Sequence, residues 1–284
     1  MRFHPEIVAR AVLSSVEPLN NGFDMPSHIF AALERIASDA DRDTGLAPWL
    51  PKGGMMEAVR ALQRRIAAGP IRVSVRDDAG KTQTVVLGAE DLQLALLAHT
   101  DEAEHWPAFI LPLYYGHCDA WARQTIEDRS AGPIKLIGPL AASSLGVSAD
   151  REHQMRTDPA VDLLGSWNFE SNLVSAPDWP PPDMGDAVRL PRDLDSYRLR
   201  PWRLGTPRLR WRIRSACYLI SPTAMPSSCT GAGHDGTFYQ LRESPAAKQA
   251  IYDFLRTDET RGLPTDATLA APKFEMPAFA PPKP

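Results

Sequence analysis

With 284 residues, 43% of them hydrophobic and 23% charged, the chain can bury a core of its own, which excludes a disordered tail and fits one large or two smaller domains. No run approaches the roughly 18 apolar residues of a membrane helix, and the opening MRFHPEIVAR lacks the apolar stretch of a signal peptide, so the chain reads as soluble. The net charge of −4 hides an asymmetry, because residues 192–214 hold eight arginines, two aspartates and no lysine, which leaves the remainder near about −10.

The chain begins with HPEIVARAVLSSVEP, whose apolar run Val8 to Leu13 fits a strand buried on both faces of a parallel sheet. From Asn21 the pattern turns helical. Ser27 is placed to cap a helix with Ile29, Phe30, Leu33 and Ile36 on one face, and Met55, Met56, Val59, Leu62 and Ile66 make a second such face. IRVSVRD and TQTVVLG alternate around Asp78-Ala79-Gly80-Lys81 and predict a β-hairpin. Further helices are predicted at AEDLQLALLAH, WPAFILPLYY and HCDAWARQTIEDR. A terminal helix is expected from Ser244, with Pro245 at its first position and Ala247, Ile251, Phe254 and Leu255 on one apolar stripe. The Pro-rich end PAFAPPKP reads as an extended tail without a core.

The chemistry-bearing residues are few. His234 lies among glycines in GAGHDGTFYQL, residues 231–241, a loop that leaves an imidazole free to approach a nucleophile's proton as a general base must. His99, Asp101, Glu102, Glu104 and His105 crowd together but lack the H-E-x-x-H order that sets two imidazoles on one helical face, and they read as a solvated helix junction. His117-Cys118-Asp119 reads as structural, since adjacent side chains rarely face each other productively. Ser14, Ser15, Ser143, Ser144, Ser227 and Ser228 are nucleophiles by residue type only, because none sits in a G-x-S-x-G elbow. The cysteines Cys118, Cys217 and Cys229 have no paired spacing, so neither a disulfide framework nor a zinc site is indicated, and no cofactor motif is present. The arginine block, interleaved with Tyr197, Trp202 and Trp211, offers a second functional class: a non-catalytic binder of nucleic acid or another polyanion. The acidic remainder of the chain weighs against it.

These residues together resemble the α/β hydrolases of the proline iminopeptidase and tripeptidyl-aminopeptidase-like branch. The resemblance runs through the opening HPEIVARAVLSSVEP, the hairpin IRVSVRDDAGKTQTVVLGAEDL, the pair Trp106-Pro107, the loop GHDGTFYQL and the string KFEMPAF. It covers most of residues 1–190 and 231–280. It implies an α/β fold represented by the C-terminal part of the hydrolase sheet and a mainly helical cap. It also implies a serine hydrolase acting on a peptide or small amide or ester, with His234 as catalytic base, no metal, no cofactor, no nucleic acid and no membrane partner. The family's nucleophile and oxyanion loop belong upstream of Met1, so the chain resembles a member truncated behind its serine. The arginine block stands where the family carries a strand and the triad's aspartate, so no acid is assigned.

A displaced reading frame accounts for that second departure. Read off register, the codons of Arg198 to Leu204 are able to spell VFVHGDW, and those of Gly205 to Gly231, in the other shifted frame, DTPTPVENPLGMLPYFPNGHAILVHRG. Tryptophan and methionine have single codons, and the shifted codons at Trp202, Trp211 and Met225 all agree with the family pattern. The expected organisation is therefore a remnant sheet strand at 1–20, a cap at 21–165, a disrupted core segment at 166–230, the histidine loop and terminal helix at 231–270, and an extended tail at 271–284. An Arg- and Pro-rich segment without alternation is not expected to form a central strand.

Overall fold

The computed structural model of the chain describes residues 9–10, 19–21, 23–76, 80–97, 103–130, 137–166, 169–179, 182–190, 228–230, 245–257, 266–268 and 273–282. The chain divides into two compact units, Asn20–Leu190 with Pro272–Pro284, and Met1–Leu19 with Pro191–Ala271. The first unit therefore runs past residue 165 and takes in the C-terminal tail. Among the described residues no helix is long and apolar enough to cross a membrane.

In the first unit, Pro26 opens helix α1 (Pro26–Ala40), a position where proline loses nothing because first-turn N–H groups have no intrahelical acceptor. The helix thus starts one residue before the expected cap: Met25 holds the extended N-cap conformation and Ser27 lies inside the first turn. Helix α2 (Met55–Ala68) buries Met55, Ala58, Val59, Leu62 and Ile66, the stripe its period requires, while Met56 is half-buried. Its first free N–H, on Met55, donates to Oδ1 of Asp41 at 2.7 Å. Gly54 permits that approach. Its φ of +75° is rarely adopted by other residues, and a Cβ there would meet the Asp41 carboxylate at 2.5 Å.

Around α2 pack α1, α3 (Ala89–Leu97) and α4 (Trp106–Tyr114). Trp106 is fully buried, and its indole donates to the Leu96 carbonyl at 2.8 Å, so the ring joins α3 to α4 without leaving a buried donor unmet.

The expected hairpin forms from β1 (Ile71–Arg76) and β2 (Thr82–Leu87), antiparallel with Ile71 opposite Leu87 and Arg76 opposite Thr82. Alternation sends Ile71, Val75, Val85 and Leu87 inward and leaves Arg72, Ser74, Thr82 and Thr84 exposed. Helix α5 (Asp119–Ser130) lies along both strands. There Arg123 donates to the Arg76 carbonyl at 2.6 Å, and Arg129 reaches the Val86 carbonyl at 3.1 Å and Asp91 at 2.8 Å.

A second apolar cluster gathers Phe23, Met155 and Phe169. It draws on α6 (Ile137–Leu145), α7 (Ala149–Arg156) and α9 (Glu170–Ser175), with α8 (Val161–Leu164) between them in sequence. Ser148 caps α7 and is itself held by Asn20, whose amide bonds both the Ser148 backbone N–H and its hydroxyl. The guanidinium of Arg189, at the end of α10 (Asp186–Arg189), is 4% exposed; it pairs with Asp183 and Asp186 and donates to the Leu145 carbonyl at 2.9 Å. Phe169 and Arg189 both find partners within this unit, which runs to Leu190.

The described residues 273–282 of the tail lie in no helix or strand, but they are not without a core: Phe274 is 6% exposed and Pro277 is buried. Composition gives no sign of this docking, since prolines do not reveal which surface an aromatic neighbour finds.

In the other unit, β3 (Ser228–Thr230) and β4 (Asp266–Thr268) pair in parallel, with Ser228 opposite Asp266. Helix α11 (Pro245–Thr257) lies between them in sequence, opening on Pro245 as the sequence implies. Two parallel strands cannot be joined by a tight turn and need a crossover, which α11 supplies. Ile251 and Phe254 are half-buried, but Leu255, expected on the apolar stripe, is 41% exposed. At 100° per residue it lies beside Phe254 rather than beneath it. Of the strand expected at Val8 to Leu13, only Ala9 and Arg10 are described: Ala9 is exposed in a bend, and Arg10 is in no strand and donates to the Leu255 carbonyl at 3.3 Å.

Candidate active site

His234 and the loop 231–241 lie outside the described residues, as does the arginine block 192–214. Their immediate neighbours are described. Strand β3 ends at Thr230, four positions before His234, and α11 begins at Pro245. In sequence, His234 therefore falls between β3 and α11.

The other candidates resolve differently. His99, Asp101 and Glu102 lie outside the described residues. Glu104 and His105 serve the tail instead: the Glu104 carbonyl accepts from the Glu275 N–H at 3.0 Å, and His105 Nδ1 lies 2.9 Å from the Glu275 carboxylate. Among the described residues no group of three or more His, Cys, Asp or Glu side chains stands close enough to hold a metal ion.

His117 and Cys118 diverge. The thiol is 3% exposed, and burial, the largest influence, pushes its pKa up; Asp119 adds to the rise and Arg65 opposes it. His117 is exposed, with its ring 4.6 Å from that of Phe279. A thiol held in its neutral form, facing away from its imidazole neighbour, is a packing group rather than a nucleophile.

Among the serines, Ser143 donates its hydroxyl to the Leu140 carbonyl at 3.1 Å and Ser144 to the Ala141 carbonyl at 3.0 Å. Both protons are engaged by backbone of the same helix. Among the described residues no basic side chain accepts either, so neither serine shows there the activation that acyl transfer needs. Ser14, Ser15 and Ser227 lie outside the described residues, and Ser228 is placed in β3.

Sequence reasoning missed one constellation. Trp49, Tyr115, His117 and Phe279 come together although they are spread over most of the chain. The Trp49 indole donates to the Phe279 carbonyl at 3.0 Å, the Tyr115 hydroxyl donates to the Trp49 carbonyl at 2.9 Å, and the Tyr115 and Phe279 rings are 5.7 Å apart. The one available signal was the aromatic and proline spacing of KFEMPAF. Compared with protein-family models, with characterised proteins and with solved structures, the chain matches none.

Proposed function

We propose that the chain is the C-terminal portion of a serine hydrolase of the α/β-hydrolase type, peptidase-like, acting on an amide or ester. His234 is its general base, taking the proton of a serine and passing it to the leaving group. What supports this reading is that His234 falls in sequence between β3 and α11, and that β3 pairs in parallel with β4. The glycines on either side of His234 support it, since they let the backbone approach a reacting centre closely. The helical unit of residues 20–190, with its hairpin, corresponds in this reading to the cap that shapes the substrate pocket.

The 284 residues supply no serine in a nucleophile elbow and no assigned acid, so the chain by itself is expected to be inactive. A fluorophosphonate probe, which labels activated serines, should leave it unlabelled; labelling that disappears in His234→Ala would overturn that expectation. The family reading is tested separately by the coding DNA. Its shifted frames should spell VFVHGDW across Arg198 to Leu204 and DTPTPVENPLGMLPYFPNGHAILVHRG across Gly205 to Gly231, and any other strings sink the displaced-frame account.

The eight arginines of residues 192–214 favour a second reading as a polyanion binder. It requires binding to duplex DNA that weakens steeply with salt, since each neutralised phosphate releases counterions.

A further inference from the structure

The tail behaves as a ligand of the unit it completes. Among the described residues, the segment 273–282 forms no helix or strand and makes no hydrogen bond within itself. Its order comes from the surface beneath it. Phe274 and Pro277 are buried, the Phe279 ring rests against Tyr115 and His117, and the Phe279 carbonyl accepts from the Trp49 indole. At the other end the Glu275 N–H bonds the Glu104 carbonyl, and its carboxylate pairs with His105. Tyr115 braces the floor by donating to Trp49, and Tyr114 packs edge-on against Tyr115 at 4.8 Å.

This is the pattern by which aromatic-lined grooves take proline-rich strands. A proline-stiffened peptide loses little entropy on binding; here the Phe279 carbonyl accepts from an indole, the Glu275 N–H donates to a backbone carbonyl, and a few side chains give specificity. Pro277, Pro281 and Pro282 stiffen the segment, and Phe274, Glu275 and Phe279 supply the specific contacts.

We propose that the strip formed by Trp49, Glu104, His105, Tyr115 and His117 is a docking groove for an extended peptide of the pattern Phe-Glu-x-Pro-x-Phe. Its resident occupant is the chain's own segment 273–282, which exchanges with the same peptide supplied in trans. The groove is independent of whether His234 is a catalytic base.

The test uses the folded full-length chain carrying a specific protease site at Ala270–Ala271, cut after folding so that no part must fold anew. The freed tail is expected to co-elute with the cut chain and to be displaced by labelled synthetic KFEMPAFAPP, which should bind the uncut chain at least about tenfold more weakly because the groove is filled. A peptide with both phenylalanines changed to alanine should not displace the tail. In cut chain carrying Tyr115→Phe, the labelled peptide should bind several-fold more weakly, with helical content as the check on folding. Tail exchange between two uncut copies, seen as a dimer that the synthetic peptide dissolves, supports the same groove. Three results would overturn it: a freed tail that leaves with no labelled peptide taking its place, a tail that stays but never exchanges, or labelled peptide binding cut and uncut chains alike.

Discussion

Helices α2 and α11 are amphipathic in the same degree by sequence, yet they sit differently in the molecule. The apolar stripe of α2 is buried along its whole length, whereas Ile251 and Phe254 of α11 are half-buried and Tyr252 and Leu255 are exposed. The difference lies in what surrounds each helix. Helix α2 is enclosed by α1, α3 and α4, which supply apolar neighbours on three sides. Helix α11 is the crossover of a two-stranded parallel pair, each strand three residues long. Amphipathicity states which face a helix would bury, and the remainder of the fold determines how far that face is covered.

Substitutions in the two units should separate this comparison clearly. Trp106→Ala removes the largest buried side chain beside α2 and leaves the Leu96 carbonyl without its donor; it should cost about 3–5 kcal/mol in urea unfolding. Leu62→Ala should cost about 2–5 kcal/mol by the same measurement, through the cavity left between α2 and its neighbours. If either proves nearly neutral, α2 is not the centre of the unit. Gly54→Ala forces a side chain into a conformation few residues adopt and against Asp41, at a cost of about 1–3 kcal/mol. Gly80→Ala, where nothing lies within 4 Å, meets the same backbone penalty without the clash and should cost less.

Tyr115 gives a smaller, pH-dependent effect. Burial first, and Tyr114 second, hold its phenol above the ordinary value of 10.0. The folded state therefore keeps the proton more tightly than the unfolded chain does. The stabilisation from Tyr115 is whole below pH 10.0 and is lost as pH rises through the higher folded value. Tyr115→Phe should remove that alkaline fall and cost about 1 kcal/mol at neutral pH through the lost bond to Trp49. A wild-type-like alkaline profile in the variant would show that the fall belongs to other groups. Smallest of all, Leu255→Ala on α11 should stay within about 0.5 kcal/mol, as exposed positions do.

The legible features were local ones. The stripe Met55, Val59, Leu62 and Ile66, the alternation on either side of Gly80 and the proline at the head of α11 are each fixed by neighbours in sequence, and each element forms where its period or turn requires. The illegible features pair residues far apart. Asp41 supplies an acceptor to the start of α2, Arg189 is buried through Leu145, and Phe279 meets Trp49. Nothing in the spacing of those residues announces a partner at such a separation. The candidate site at residues 231–241 lies outside the described residues, so its reading rests on the sequence alone.

The helical unit is interrupted in the order of synthesis. Leu190 precedes Pro272 by the stretch Pro191–Ala271, which at about 5–20 residues per second occupies a ribosome for roughly 4–16 s. Helices and hairpins form in microseconds, so α1 to α10 have time to assemble long before residues 273–282 exist. Until residues 273–282 are made, the aromatic strip at Trp49 and Tyr115 therefore stands without the segment that covers it in the finished chain.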